Sequence, residues 1–247
     1  MGPAAKGGAA VMTASRNDIL EGIRRSLGRS GPVDGERAAE LRERLANPKR
    51  NLVPARADLA EAALVDLFQS MAEDVFSTVD RVADMAAVPG ALTDYLKREN
   101  LPAQVVMAPD SSLDGAPWED EPLLEIRRGL PLESDMVSVT SAPVAVAETG
   151  TLVMFSGADH PSTLNFLPET HVVVLPADRV TKTYEDVWDL LRQRMADSEN
   201  GLNGMLPRTV NMITGPSRSG DIEQTLLLGA HGPRRLHIIL VAADNTS

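Results

Sequence analysis

Five short, largely apolar runs lie in the second half of the chain: Val137–Thr140, Thr151–Phe155, Val172–Leu175, Val210–Thr214 and Leu236–Val241. A strand that is apolar on both faces has to be buried on both. That pattern belongs to a parallel sheet covered by helices rather than to a half-wetted antiparallel one. Thr78–Val82 and Gln104–Ala108 add two earlier strand candidates. Helical periodicity alternates with them. Asp58 is placed to cap a helix whose stripe is Leu64, Leu67, Phe68, Met71 and Val75, and Pro89–Arg98 follows as a second helix. Tyr184–Met195 is a third, with Val187, Trp188 and Leu191 on one face. Pro, Gly, Asp and Glu between 111 and 122 predict a loop. The alternation predicts an α/β domain built on a mostly parallel sheet, without an internal repeat.

The first 50 residues carry too few apolar positions to form a core alone. Residues 1–14 are Gly/Ala-rich and are expected to be a disordered extension. Ser15 and Asp18 open a helical pattern in which Ile19, Leu20, Ile23 and Leu27 recur, and Gly28 is placed to end it. Gly31–Gly35 is a linker, and Glu36–Leu45 a charged peripheral helix. The expected organisation is therefore an extension at 1–14, a helical segment at 15–50 and an α/β domain at 51–247.

Composition removes several classes of function. Aromatic residues make up 3% of the chain and the net charge is −11, which argues against base stacking and against binding a phosphate backbone. No nucleic-acid partner is expected. There is no cysteine, so disulfides, thiol nucleophiles and cysteine-ligated iron–sulfur clusters are excluded from this chain. No apolar run approaches the roughly 20 residues of a membrane span, and the N-terminus lacks the apolar core of a secretory signal. Residence in the cytoplasm is expected.

Polar turns follow the apolar runs, and they hold the residues that chemistry would use. In Glu148-Thr149-Gly150-Thr151, glycine permits a close backbone approach, and the Glu148 carboxylate would lie beside hydroxyls and amides. Such a carboxylate is a nucleophile, a base or an acceptor, or else a solvated hairpin residue. The Gly215–Gly220 loop follows a strand and precedes Asp221, a helix-cap residue, and its amides with Arg218 would form an anion site. No Walker or dinucleotide glycine pattern is present. All four histidines lie beyond residue 159. His160 and His231 adjoin turns and are candidates for acid, base or ligand roles, whereas His171 and His237 sit in apolar strands and read as packing residues. Histidine spacing gives no metal site. Asp221 and Glu223 would share a face on a strand and diverge on a helix. The expected ligand pocket is lined by Glu148, Thr149, Gly150, Ser217, Arg218 and Asp221 at the carboxyl ends of the strands. Thr151, His160, Asn165, Gly215, Glu223 and His231 complete the candidate set.

Three stretches together, AETGTLV, HPSTLNFLPETHVVVLP and TGPSRSGDIEQTLLLGAHGPRRLHIILV, resemble the lactate-utilisation protein C family, whose common unit is the LUD domain. The opening SRNDILEGIRRSLG is similar to that family's first helix, and the resemblance covers roughly residues 15–243. It implies a Rossmann-like three-layer α/β/α sandwich, as in sugar-phosphate isomerases, CoA transferases and formyltetrahydrofolate cyclo-ligases. It also implies a place beside two iron–sulfur proteins in the oxidation of L-lactate to pyruvate, with the clusters in those partners and no cofactor in this chain. The implied role is an accessory or ligand-binding one, taking a small carboxylate or phosphate-bearing ligand. The alternative is a stand-alone enzyme on such a metabolite. CoA transferases of the superfamily use a glutamate near a glycine turn, and Glu148 is the matching residue here.

Overall fold

The computed structural model describes residues 8–29, 33–197, 207–219, 227–229 and 231–243. The chain divides into two compact units, Met1–Asn51 and Leu52–Ser247. The first holds α1 (Gly8–Ser26) and α2 (Gly35–Ala46). α1 begins upstream of Ser15 and ends at Ser26, two residues before Gly28, whose φ of +63° suits the reversal of the chain. Asp34 caps α2, accepting a hydrogen bond from the Arg37 amide at 2.7 Å.

The second unit runs α3 (Glu61–Asp74), β1 (Thr78–Val82), α4 (Val88–Arg98), β2 (Gln104–Met107), β3 (Glu125–Arg128), β4 (Val137–Ser141), β5 (Val144–Val146), β6 (Thr151–Phe155) and β7 (Thr170–Pro176). It continues through β8 (Val180–Thr181), α5 (Tyr184–Asp197), β9 (Val210–Ile213), β10 (Arg218–Ser219), β11 (Leu227–Leu228) and β12 (Arg235–Val241). Six strands form an all-parallel sheet in the order β1-β12-β7-β4-β2-β3. Its centre is covered on both faces: β4, β7 and β12 are buried along almost their whole length, with Ser138, Thr140, His171 and His237 as polar residues among the apolar ones.

On one face of that sheet, Leu92 and Leu96 of α4 pack with Val139, Val172, Val174 and Ile239. On the other, Leu64, Phe68 and Ala72 of α3 pack with Val173, Ile238 and Leu240. These are the layers of an α/β/α sandwich. Asp58 is not the cap of α3. Ala60 occupies that position without a side-chain bond, and Asp58 instead accepts from Lys182 Nζ at 2.8 Å.

The apolar runs do not all join one sheet. β6 and β9 pair antiparallel in a second sheet of order β8-β5-β6-β9. Leu152 and Met154 of β6 face the α3 layer, while Val153 and Phe155 face α5 through Val187 and Leu191. β6 is thus buried on both sides by two different neighbours. In α5 it is Tyr184, Val187 and Leu191 that pack inward, and Trp188 remains 38% exposed.

Candidate functional site

The β5–β6 hairpin carries Glu148. Val146 pairs with Thr151, leaving residues 147–150 as its loop. The loop extends the second sheet, because the Ala147 and Glu148 amides donate to the Thr181 and Lys182 carbonyls at 2.9 and 3.2 Å. Glu148 is only 8% exposed, so it is not a solvated turn residue. Arg56 donates from Nη2 to its Oε1 at 3.3 Å. Gly150 has a φ of +63°, and a Cβ there would lie 2.3 Å from the Ala72 nitrogen. Only glycine fits this turn against the end of α3.

Hydroxyls join this turn to the one after β9. Thr151 Oγ1 lies 2.7 Å from both Thr149 Oγ1 and Thr214 Oγ1, and 2.9 Å from the Tyr184 hydroxyl. Gly215, with φ at +78°, presses on the Val75 carbonyl, where a Cβ would stand 2.2 Å away. The Arg218 guanidinium carbon lies 5.0 Å from the centre of the Phe76 ring. The two turns, 63 residues apart at Thr151 and Thr214, therefore meet at the C-terminal end of α3.

Asn165, His171, Gly215, Ser217 and His231 line a cleft of about 200 Å³, with apolar neighbours from β9 and β12. The Ser217 amide donates to the Pro233 carbonyl at 2.8 Å, and the His231 amide to Ser217 Oγ at 3.4 Å. His171 is fully buried in β7, its Nε2 2.8 Å from Thr140 Oγ1. Burial pushes its pKa down to about 3, so the ring is neutral at ordinary pH. This cleft lies at the amino ends of β7 and β12, opposite to the edge at which loops of a parallel sheet gather ligands. Asp221 and Glu223 lie outside the described residues.

His160 is elsewhere, at the carboxyl edge. From β2 the chain moves to β3 on one side; from β4 it moves to β7 on the other. Between β2 and β4 the connections part and a crevice opens, the switch point of an open α/β sheet. Asp110, three residues beyond β2, is 6% exposed. It accepts from the Ser112 amide at 2.9 Å, from Ser112 Oγ at 2.7 Å and from the Ser141 hydroxyl. His160 Nε2 lies 3.5 Å from Asp110 Oδ2. Burial alone would raise the Asp110 pKa; the hydrogen bonds from Ser141 and Ser112, with the attraction of His160, outweigh it and hold the carboxyl below its usual range. Arg179 donates from Nη1 to the Ala142 carbonyl at 3.1 Å. With Arg194 of α5 these groups line a cleft of about 290 Å³.

Of this cluster the sequence singled out His160 alone. A signal for Asp110 was present: Pro109-Asp110-Ser111-Ser112 directly follows a strand, and an aspartate two residues before a serine makes a local turn. No comparable signal marks Ser141 or Arg179. A wider hollow of about 610 Å³ opens beside β1 and β12, but its Asp66 and Arg81 pair with each other at 2.7 Å, and it carries neither histidine nor hydroxyl. Among the described residues no three of His, Asp and Glu gather as a metal-binding group, and no helix is long and apolar enough to cross a membrane.

The chain as a whole resembles known proteins. The LUD domain family model matches residues 4–241. Lactate utilization protein C of Bacillus subtilis (strain 168) is 28% identical over 198 residues, covering 78% of this chain and 76% of the relative. Lactate utilization protein C of an Exiguobacterium species is 28% identical over 244 residues, covering 92% and 96%. The crystal structure of a DUF162 family protein from Deinococcus radiodurans shares the fold, with a TM-score of 0.51 and 24% identity over 74% of this chain and 99% of that one.

Proposed function

The chain belongs to the LUD domain family, and from that premise we propose that it is a ligand-binding component of an L-lactate-oxidising system, acting in the cytoplasm beside iron–sulfur partner proteins. The observation that carries the proposal is the likeness, over most of both chains, to proteins named for lactate utilisation. The absence of cysteine from the sequence assigns any thiolate-held cluster to other chains. What remains for this chain is to bind a small carboxylate or phosphate-bearing ligand, its partners, or both.

The meeting of the Glu148 and Gly215 turns supports a binding role, because both are fixed against one helix end and share a hydroxyl network. Rigid support is what a binding loop needs to hold its groups at a set geometry. A second reading has one specific observation in its favour. Glu148 is a buried carboxylate in a backbone turn, as a nucleophile or base would be, which fits a stand-alone enzyme acting on a carboxylate or phosphorylated metabolite.

Lactate oxidation measured with the co-purified iron–sulfur proteins, with and without this chain, separates the two. The first reading expects lactate-dependent reduction of an electron acceptor only when all chains are present. Full oxidation by the partners alone would remove this chain from the system.

A further inference from the structure

The six-stranded sheet ends at β3, and among the described residues β2 is its only strand neighbour. The Glu125 and Gly129 amides donate to the Ala103 and Met107 carbonyls at 2.8 and 3.1 Å. Backbone groups alternate in direction along a strand, so those of residues 125, 127 and 129 point at β2. The N–H and C=O of Ile126, the N–H of Arg128 and the C=O of Leu124 therefore point the other way, along the open edge.

Native sheets guard such edges with proline, bulges or charge. β3 has no proline, and its register with β2 runs unbroken from Glu125 to Arg128. Its guard is charge: Glu125, Arg127 and Arg128 are all exposed. The order of those charges makes one strand an exception, and that strand is β3 itself.

In an antiparallel pair, residues directly opposite share a face of the sheet, and opposite charges there attract. A two-fold axis between two Ile126 residues sets Glu125 of each copy against Arg127 of the other. The two residues lie on the same face of β3, being two apart. Glu125 is bonded to Gln104 Nε2 through Oε2, which leaves Oε1 for a second partner. Arg127 uses Nη1 on the Leu130 carbonyl and Nη2 on Asp135, which leaves further donors of its guanidinium. On the other face Ile126, already packed beside the α4 layer, meets Ile126. The backbone matches as well. Each copy would donate from Ile126 to the Ile126 carbonyl of the other, and from Arg128 to its Leu124 carbonyl.

The flanks of β3 fit the same axis. Leu123, directly before Leu124, is 82% exposed, and Leu130, after the Gly129 turn, is 64% exposed. Antiparallel pairing about Ile126 brings Leu123 of one copy beside Gly129 and Leu130 of the other. A parallel copy in register would instead oppose Glu125 to Glu125 and Arg127 to Arg127, which is unfavourable.

We propose that β3 is a self-association edge, on which a second copy of this chain pairs its own β3 antiparallel and joins the two six-stranded sheets into one. The pairing rests on β3 and its flanks and does not depend on the lactate reading.

Sedimentation velocity of the full chain tests it. The wild-type chain should sediment as a dimer at micromolar concentration. Glu125→Arg opposes arginine to Arg127 of the other copy, and Arg127→Glu opposes glutamate to Glu125. Each should weaken self-association by about tenfold or more, because symmetry repeats the like-charge pair. An equimolar mixture of the two variants should regain the dimer, since every facing pair again has opposite charge. Damage confined to the fold of either variant would not be repaired by mixing. Leu123→Lys should also weaken the dimer, and at so exposed a position it leaves the core untouched. Should Arg127→Glu, which also loses Asp135, fail to fold by circular dichroism, Glu125→Arg and Leu123→Lys carry the test. A wild-type chain that stays monomeric up to about 0.1 mM overturns the proposal, being too weak for a specific dimer. So does a dimer that neither Glu125→Arg nor Leu123→Lys weakens, which would place the contact on another surface. A mixture of the two folded charge variants that stays monomeric overturns it too.

Discussion

Gly150 lies so close to Ala72 that a side chain at 150 would put its Cβ 2.3 Å from the Ala72 nitrogen. The same residue has a φ of +63°, which non-glycine residues seldom adopt. One position thus carries two independent demands, and both concern the seating of the Glu148 turn on α3.

Gly150→Ala should therefore destabilise the domain by about 3 kcal/mol or more, since helix backbone cannot yield as a side-chain tip can. Gly157→Ala is the control. Nothing lies within 4 Å of a Cβ there, and the change should stay within about 0.5 kcal/mol. Urea unfolding of the two variants beside the wild type measures the difference.

Glu148→Gln should impair lactate-dependent growth while leaving the melt almost unchanged. Gln preserves the size of the buried side chain and removes its charge. The partner Arg56 has a half-exposed side chain, so the ion pair itself is worth at most about 1 kcal/mol. Growth on lactate of a deletion strain carrying the variant, with its thermal melt, makes the comparison. Wild-type growth with an unchanged melt would show that the charge at 148 has no functional role.

Thr151→Val tests the hydroxyl network. Valine matches threonine in shape, but the change strips a shared partner from Thr149, Tyr184 and Thr214. A loss of about 1–3 kcal/mol is expected. Tyr184→Phe, which removes a peripheral member, should cost less, about 1 kcal/mol. Equal and negligible effects in equilibrium unfolding would mean that these hydroxyls are solvated rather than mutually satisfied.

Stability should fall on acidification below the ordinary histidine value. Burial pushes His171 from 6.5 to about 3. Burial likewise depresses His237 to about 4, against an opposing pull from Asp80. His237 is stacked on Tyr95 with ring centres 3.8 Å apart. Between those values the unfolded chain binds protons that the folded chain refuses, so stability rises with pH across the window and is lost as pH drops through it. Each histidine contributes a slope of up to about 1.4 kcal/mol per pH unit between roughly pH 6 and pH 4. Asp110, whose carboxyl is held low, acts in the same direction: its contribution is present above the ordinary carboxylate range and vanishes as pH falls through its folded value. Unfolding free energies at pH 7.5, 6 and 5 should decline in that order. Equal values at pH 7.5 and 5 would contradict the burial of both rings as neutral species.

The sequence by itself determined which segments had to be buried. β7 and β12 carry apolar residues on both faces, and no arrangement wets either face cheaply. It also marked the turns at Gly150 and Gly215, because glycine between strand and polar residues has a local meaning. Tertiary structure alone decided which strands share a sheet. β6 is as apolar as β7, yet it pairs antiparallel in a second sheet between α3 and α5. An apolar strand records that it is covered, not by what. Tertiary structure also decided that Asp110 meets Ser141, 31 residues away. They meet because β2 and β4 are neighbours at the point where the chain turns outward to both sides. Local propensity acts over a few residues, whereas strand order is settled by pairing between distant segments, and the carboxyl-edge cleft exists only once that order is fixed.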